Sequence, residues 1–387
     1  MRKILGLAPV ATALLLVGAP AAVAGPLPPS ANAAQIQAGL QAMRDYNLIA
    51  LKDLSSSSEV EGRAFVGGNL SGNSSNYFTQ PHGLTGGNGL VVAGNVSGGT
   101  KQVNNGAALA VGGNLTSGAN MNAGPGGTGT VKVGGSISGG TVNANNTAVY
   151  VNGDVANVNA HDVYYGGALG ANVNGVKHAG DTSQATLGAD LAAQAAAYAT
   201  DFADLSAYLD GLTPSGPLSS LLTYSGQTAK FNAGAGTGVA VFDIADLAAA
   251  LAGMSNIQFT LPTTYDLVVI NVTSPSFTMS GGVNFNGPTN LGQKVIWNFV
   301  NATTLNLGSS FFGSVLAPNA TLTNGNFIEG SVVAKSVNQN GEIHMNNLTG
   351  GLGPIATPTP EPAAWALMIL GFGAAGAALR RRRLLSV

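Results

Sequence analysis

A short element recurs through the first half of the chain and restricts what it can fold into. Two alternating apolar residues precede a Gly pair or its remnant. A small polar residue, an apolar residue and then Ser or Thr with Gly follow. The element reads FVGGNLSG from Phe65, VVAGNVSGG from Val91, AVGGNLTSG from Ala110, VKVGGSISGG from Val131 and VYVNGDVANV from Val149. Its polar position is held by Asn69, Asn95, Asn114, Ser136 and Asp154, at separations of 26, 19, 22 and 18 residues. Short period-2 strands with Gly corners, repeating about every 20 residues, predict a β-solenoid of unassigned handedness. One coil cannot bury its inward Val, Leu and Ile alone, whereas stacked coils make a continuous core. Gly is expected to supply positive φ at the corners, and Asn at a fixed corner to stack as a hydrogen-bond ladder.

A similar pattern returns near the end, where Gly313 and Gly330 punctuate FFGSVLAPNATLTNGNFIEGSVVAKSV. The segments 267–272 and 294–300 also read as strands. Between the two solenoid portions lies a helix. From Ser183 to Asp210 the apolar positions Leu187, Leu191, Ala195, Tyr198, Phe202, Leu205 and Leu209 advance by three or four residues and make one stripe. Thr182 or Ser183 is placed to cap its start, and Gly211 and Pro214 to end it. The expected fold is therefore mainly β, a solenoid split in sequence. One long α-helix, about 183–210, packs along its axis with the stripe against one wall.

Composition fits an exported, charge-poor body. Charged residues are only 8 % and Gly numbers 56, yet hydrophobic residues reach 45 %, enough for a packed core. The absence of Cys excludes disulfides and thiolate metal sites. The ends carry six of the fifteen Lys and Arg and one of the seventeen Asp and Glu. The middle keeps nine positive against sixteen negative charges, a net of −7. No basic run suits a nucleic acid, so none is expected as a partner.

The N-terminus has the order of a secretory signal: Arg2 and Lys3, the apolar run from Ile4 to Val17, then Ala22-Val23-Ala24. The small residues Ala22 and Ala24 suit a signal peptidase, which places the cut after Ala24, with Ala31-Asn32-Ala33 as a second candidate. The C-terminus reads TPTPEPAAWALMILGFGAAGAALRRRR. Its apolar run, Ala363 to Leu379, is about 26 Å as a helix, enough to cross a bilayer core. Arg380, Arg381, Arg382 and Arg383 stop it and hold the C-terminus inside. The GxGxxG pattern at Gly371 to Gly376 lies within this span and lacks the strand and acid that nucleotide binding requires. The resulting division is 1–24 signal peptide, 25–353 solenoid domain, 354–362 Pro-rich linker and 363–387 transmembrane sorting tail.

This tail closely resembles the PEP-CTERM sorting signal of Gram-negative bacteria. The matching residues are Pro360, Glu361, Pro362, Trp365 and Ala366, then Gly371-Phe372-Gly373 and the Arg block. The resemblance implies an exosortase-type sorting enzyme as a partner, a membrane-held precursor, and association with exopolysaccharide and biofilm. Tyr46 to Leu54, Glu59 to Asn69, Val268 to Val272 and Gly313 to Gly330 resemble the choice-of-anchor A domain of bacterial surface proteins. The internal echo of Glu61-Gly62 in Glu329-Gly330 belongs to that likeness. The helix with a split solenoid also looks like the ice-binding β-solenoid fold. None of these supplies a catalytic motif.

The residues themselves offer little chemistry. His82, His161, His178 and His344 lack metal-site spacing, so neither a metal nor a cofactor is expected. No Ser stands in a GxSxG elbow. Val91 and Val131 stand where a calcium nonapeptide repeat needs Asp. Glu59 and Glu61, two apart on a strand, would share a face and are the carboxylates to weigh for polysaccharide cleavage. Asp243 and Asp246 suit a turn or the cap of a helix from Leu247 to Leu251. Thr128/Thr130 and Thr321/Thr323 are the TxT pairs available to an ice-binding array. The leading expectation is a non-enzymatic surface or matrix protein held near extracellular polysaccharide. An ice- or glycan-binding module and a polysaccharide-active enzyme are the alternatives. Thr-rich flatness would favour ice, an aromatic groove glycan, and a carboxylate cleft catalysis.

Overall fold

The computed structural model describes residues 33–80 and 87–355. The signal segment, the Pro-Glu-Pro element, the apolar tail, the Arg block and His82 lie outside the described residues. Among the described residues, no helix is long and apolar enough to cross a membrane.

The body is a β-solenoid, mainly parallel β, as the repeat requires. Its principal sheet has three columns of parallel pairing, which make three faces. The first runs from Gly238–Ile244 through Tyr265–Val272 and Val295–Phe299 to 315–317 and 332–334. It continues through Leu48–Ala50, Ala64–Val66, Asn88–Val92, Ala108–Val111 and Val131–Val133 to 149–151, 163–165 and 177–179. The chain therefore starts in the middle of the stack and builds to one end. It then crosses back, restarts at the other end and returns to the middle. The first coil pairs with the last, Leu48 opposite Val332 and Leu54 opposite Val337.

The crossing element is helix α2, Leu187–Asp210. It begins four residues later than the stripe suggested. Residues 183–186 form a turn, and the Thr186 hydroxyl donates to Asp190 instead of capping the helix. Gly211 does end it, its N–H donating to Ala207 O. The stripe faces the first face of the solenoid: Leu191, Ala195, Phe202, Leu205 and Leu209 are buried, in one cluster with Ile49, Phe65, Val91, Val269, Ile296, Leu316 and Val333. Strands beneath the helix are thus apolar on both sides. At 1.5 Å per residue, 24 residues span about 36 Å, or seven to eight coil spacings. That matches its reach from Gly188, close to Gly112, to Leu209, whose carbonyl accepts from Asn271.

A second helix, α1 (Ala33–Asp45), was not anticipated. Ile36, Leu40 and Met43 dock it on the same cluster. Three single-turn helices, α3 (Leu218–Leu221), α4 (Leu247–Ala250) and α5 (Leu291–Lys294), lie among the C-terminal coils. Asp246 caps α4 by accepting from Ala249 N–H at 3.0 Å, as expected. The paired glycines correct another expectation. Gly94 and Gly113 do not have positive φ. A Cβ on Gly94 would lie 2.6 Å from Gly68 O, and one on Gly113 2.5 Å from Asn95 Oδ1. These glycines are needed for close coil contact, while positive φ falls on later positions such as Gly98.

Candidate functional site

The second face is built from one three-residue unit, a small polar residue on either side of an inward apolar one. Stacking puts nine such units in register: Ser276-Phe277-Thr278, Thr304-Leu305-Asn306, Thr321-Leu322-Thr323, Ser336-Val337-Asn338, Asp53-Leu54-Ser55, Asn69-Leu70-Ser71, Asn95-Val96-Ser97, Asn114-Leu115-Thr116 and Ser136-Ile137-Ser138; Asp154-Val155-Ala156 and Ala168-Leu169-Gly170 carry the row on with one polar flank and then none. The central residue is buried in every unit except the last, where Leu169 is 43 % exposed at the end of the stack. Alternation along a strand then sends both flanking side chains outward. The result is two columns of hydroxyls and amides about 6.6 Å apart, with tiers about 4.8 Å apart. Asp53 and Asp154 are the charged residues in them.

The ladder expected at the corner is present and fixes the part of one column from Asp53 to Asp154. Asp53 Oδ1 accepts from Asn69 N–H (2.7 Å), Asn69 Oδ1 from Asn95 N–H (2.9 Å) and Asn95 Oδ1 from Asn114 N–H (2.8 Å). Asn114 Oδ1 then accepts from Ser136 N–H (2.9 Å), Ser136 Oγ from Asp154 N–H (3.0 Å) and Asp154 Oδ1 from Ala168 N–H (2.7 Å). Each side chain satisfies the backbone of the next coil, so this stretch of the array is held in place. Of the two TxT pairs, Thr321/Thr323 belongs to this face and Thr128/Thr130 does not. A search for Thr alone misses the array because Ser and Asn fill most of it. The signal that finds it is the polar–apolar–polar unit itself.

The third face carries the carboxylates. Glu59 and Glu61 share it as expected, and the last coils bring Glu329, Glu342 and His344 beside them. His344 Nδ1 is 3.0 Å from Glu329 Oε2, and its Nε2 is 2.9 Å from Glu342 Oε2. Glu61 Oε2 accepts from Met345 N–H at 2.7 Å. Burial, then the charge and hydrogen bond of Glu342 and the charge of Glu61, raise the Glu59 pKa above the usual carboxylate range. Phe327 stacks on the His344 ring at 4.6 Å. Farther along, an amide ladder joins Asn120, Asn143, Asn159 and Asn174 at 2.7–2.8 Å.

Beyond the start of α2, the outer surface of the first face carries a ring stack. Tyr150 and Tyr164 lie 4.8 Å apart and Tyr164 and His178 4.2 Å apart, their planes nearly parallel. Rings stacked along the axis cover one another's faces and offer edges to solvent, so this is not a platform for sugar rings. The scattered histidines do converge in part: His161 Nδ1 and His178 Nε2 lie 2.6 and 2.9 Å from the two oxygens of Asp162. These hydrogen bonds hold the Asp162 carboxyl below its ordinary pKa. Among the described residues, no group of three or more His, Asp or Glu is arranged to hold a metal ion. Asp243 joins a partly covered ladder under α2, accepting from Asn271 Nδ2 at 3.0 Å, while Asn271 Oδ1 accepts from Asn298 at 2.9 Å.

Two family profiles match this chain. That of an ice-binding-like adhesive domain matches residues 39–131 and 107–345, and that of the PEP-CTERM protein-sorting motif matches 358–383. No curated protein matches. A solved structure, the ice-binding protein from an Antarctic bacterium Flavobacteriaceae, is similar over 82 % of this chain and 85 % of that one. Identity is 14 % and the TM-score 0.26, too distant to carry any residue across.

Proposed function

The chain belongs to the family of the ice-binding-like adhesive domain and carries a PEP-CTERM sorting motif. From that premise we propose that it is an exported, non-enzymatic adhesive protein of the cell surface, with the hydroxyl and amide face as its contact surface. The observation that carries this reading is the polar array of nine full tiers, neutral apart from Asp53 and the adjoining Asp154. Side chains already held by a ladder lose little freedom on contact, so weak hydrogen bonds add up across a solid surface. In this reading signal peptidase and then an exosortase-type enzyme process the chain. The precursor is held in the inner membrane before display among extracellular polysaccharide.

A second reading, with ice as the surface, is favoured by the regular two-column spacing of the same face. The enzyme reading has less support, because Glu61 and Glu329 are engaged with Met345 N–H and His344. One experiment separates the three. Thr323→Tyr and Ser71→Tyr, both outward, should leave melting unchanged and reduce adsorption of the mature protein at least about tenfold. Ice crystals and the host's own polymer serve as the two solid phases. Undiminished adsorption to both would move the contact surface elsewhere. Release of soluble sugars that Glu59→Gln abolishes would replace adhesion with catalysis.

A further inference from the structure

The seam where the first coil meets the last is not equally strong on its three sides. Two faces hold it by three register pairs each, Leu48 to Ala50 with Val332 to Ala334, and Leu54 to Ser56 with Val337 to Gln339. On the third face the pairing shrinks to one, Val60 with Ile343, beside the bond from Glu61 N–H to Ile343 O at 3.0 Å. The carboxylates collect at this weak side. Glu59 and Glu61 flank Val60, and Glu342 and His344 flank Ile343, with Glu329 on the next coil.

We propose that this side of the seam is a pH-sensitive latch. It is closed when His344 is protonated between Glu329 and Glu342 and Glu59 is neutral beside Glu342. It loosens when His344 is neutral and Glu59 is ionised. The groups facing His344 are Glu329 from the preceding strand, Glu59 and Glu61 from the first coil, and Glu342 from its own segment. Arg44 of α1 lines the groove beside Glu329, but its guanidinium donates to Gly350 O (2.8 Å) and Gln41 Oε1 (3.4 Å).

Both titrations act in one direction. Burial works to lower the His344 pKa, but hydrogen bonds to Glu342 and Glu329 and the charges of Glu61 and Glu329 outweigh it and raise the value. Its contribution is therefore present below the ordinary 6.5 and is lost as pH rises through the folded value. Glu59 is also raised, chiefly by burial and Glu342, so its ionisation weakens the seam as pH rises. The latch is independent of which surface the adhesive face contacts.

Hydrogen exchange on the full chain tests it, comparing pH 6.0 with pH 8.5 after correction for intrinsic rates. The amides of Glu61 and Met345 report the latch. Leu51, whose N–H donates to Ala334 O on the helix-covered side, is the reference. Protection of the two reporters should fall about fivefold or more at the higher pH while Leu51 is unchanged. In Glu342→Gln/His344→Gln the reporters should no longer respond to pH. Equal protection at both pH values in the native chain would overturn the proposal. So would an undiminished response in the double variant.

Discussion

Asn47, one residue before the first strand, donates from Nδ2 to the carbonyls of Gly330 and His344, both at 2.9 Å, so a single side chain ties the first coil to the last two. Its Oδ1 accepts from Gly62 N–H at 3.0 Å, and it is fully buried. Asn47→Ala would leave Gly330 O and Gly62 N–H without these partners at the seam and take one of two donors from His344 O, which keeps Asn346 N–H. The expected loss is about 3 kcal/mol or more, read as a lower denaturant midpoint at unchanged slope.

The helix should be equally intolerant of charge. Leu205 is fully buried and faces Gly39 of α1. Leu205→Asp should destabilise the body by roughly 3–5 kcal/mol, since a carboxylate there has no water. Ala192→Asp, on the exposed side of α2, should stay within about 0.5 kcal/mol in the same melting experiment.

The ladder makes a finer prediction. Asn95 accepts at Oδ1 from Asn114 N–H (2.8 Å) and donates from Nδ2 to Asn69 Oδ1 over a longer 3.2 Å, at an exposed corner. Asn95→Ala should cost about 1 kcal/mol, whereas Asn95→Asp, which keeps an acceptor, should cost about half of that or less. Equal losses would mean that the acceptor is not what the position supplies.

Sorting is tested at the tail. Replacing Pro360, Glu361 and Pro362 together by Ala should block processing and leave the chain in the membrane fraction, detected by fractionation and blotting. Mass spectrometry of the exported protein should find Gly25, or failing that Ala34, as its first residue. An intact Met1 would exclude signal cleavage.

Local pattern made much of the body legible. The inward Val, Leu and Ile, the corner positions from Asn69 to Asp154 and the stripe of α2 all follow from periodicities within a few residues. The PEP-CTERM motif is equally local. Helix α1 escaped because its apolar residues, Ile36, Leu40 and Met43, make a stripe of only two or three turns. The adhesive array escaped because its tiers come from segments as distant as Ser276 and Asn69 and mix Ser, Thr and Asn.

By itself the sequence determined that coils form, which side chains turn inward, and that a helix covers one wall, because each depends on neighbours along the chain. Only the tertiary structure decided which coil sits on which. Inward apolar layers are nearly interchangeable, so nothing local says that Leu48 should choose Val332. That choice alone carries Glu59 and Glu61 to His344 and merges two runs of polar side chains into one continuous face.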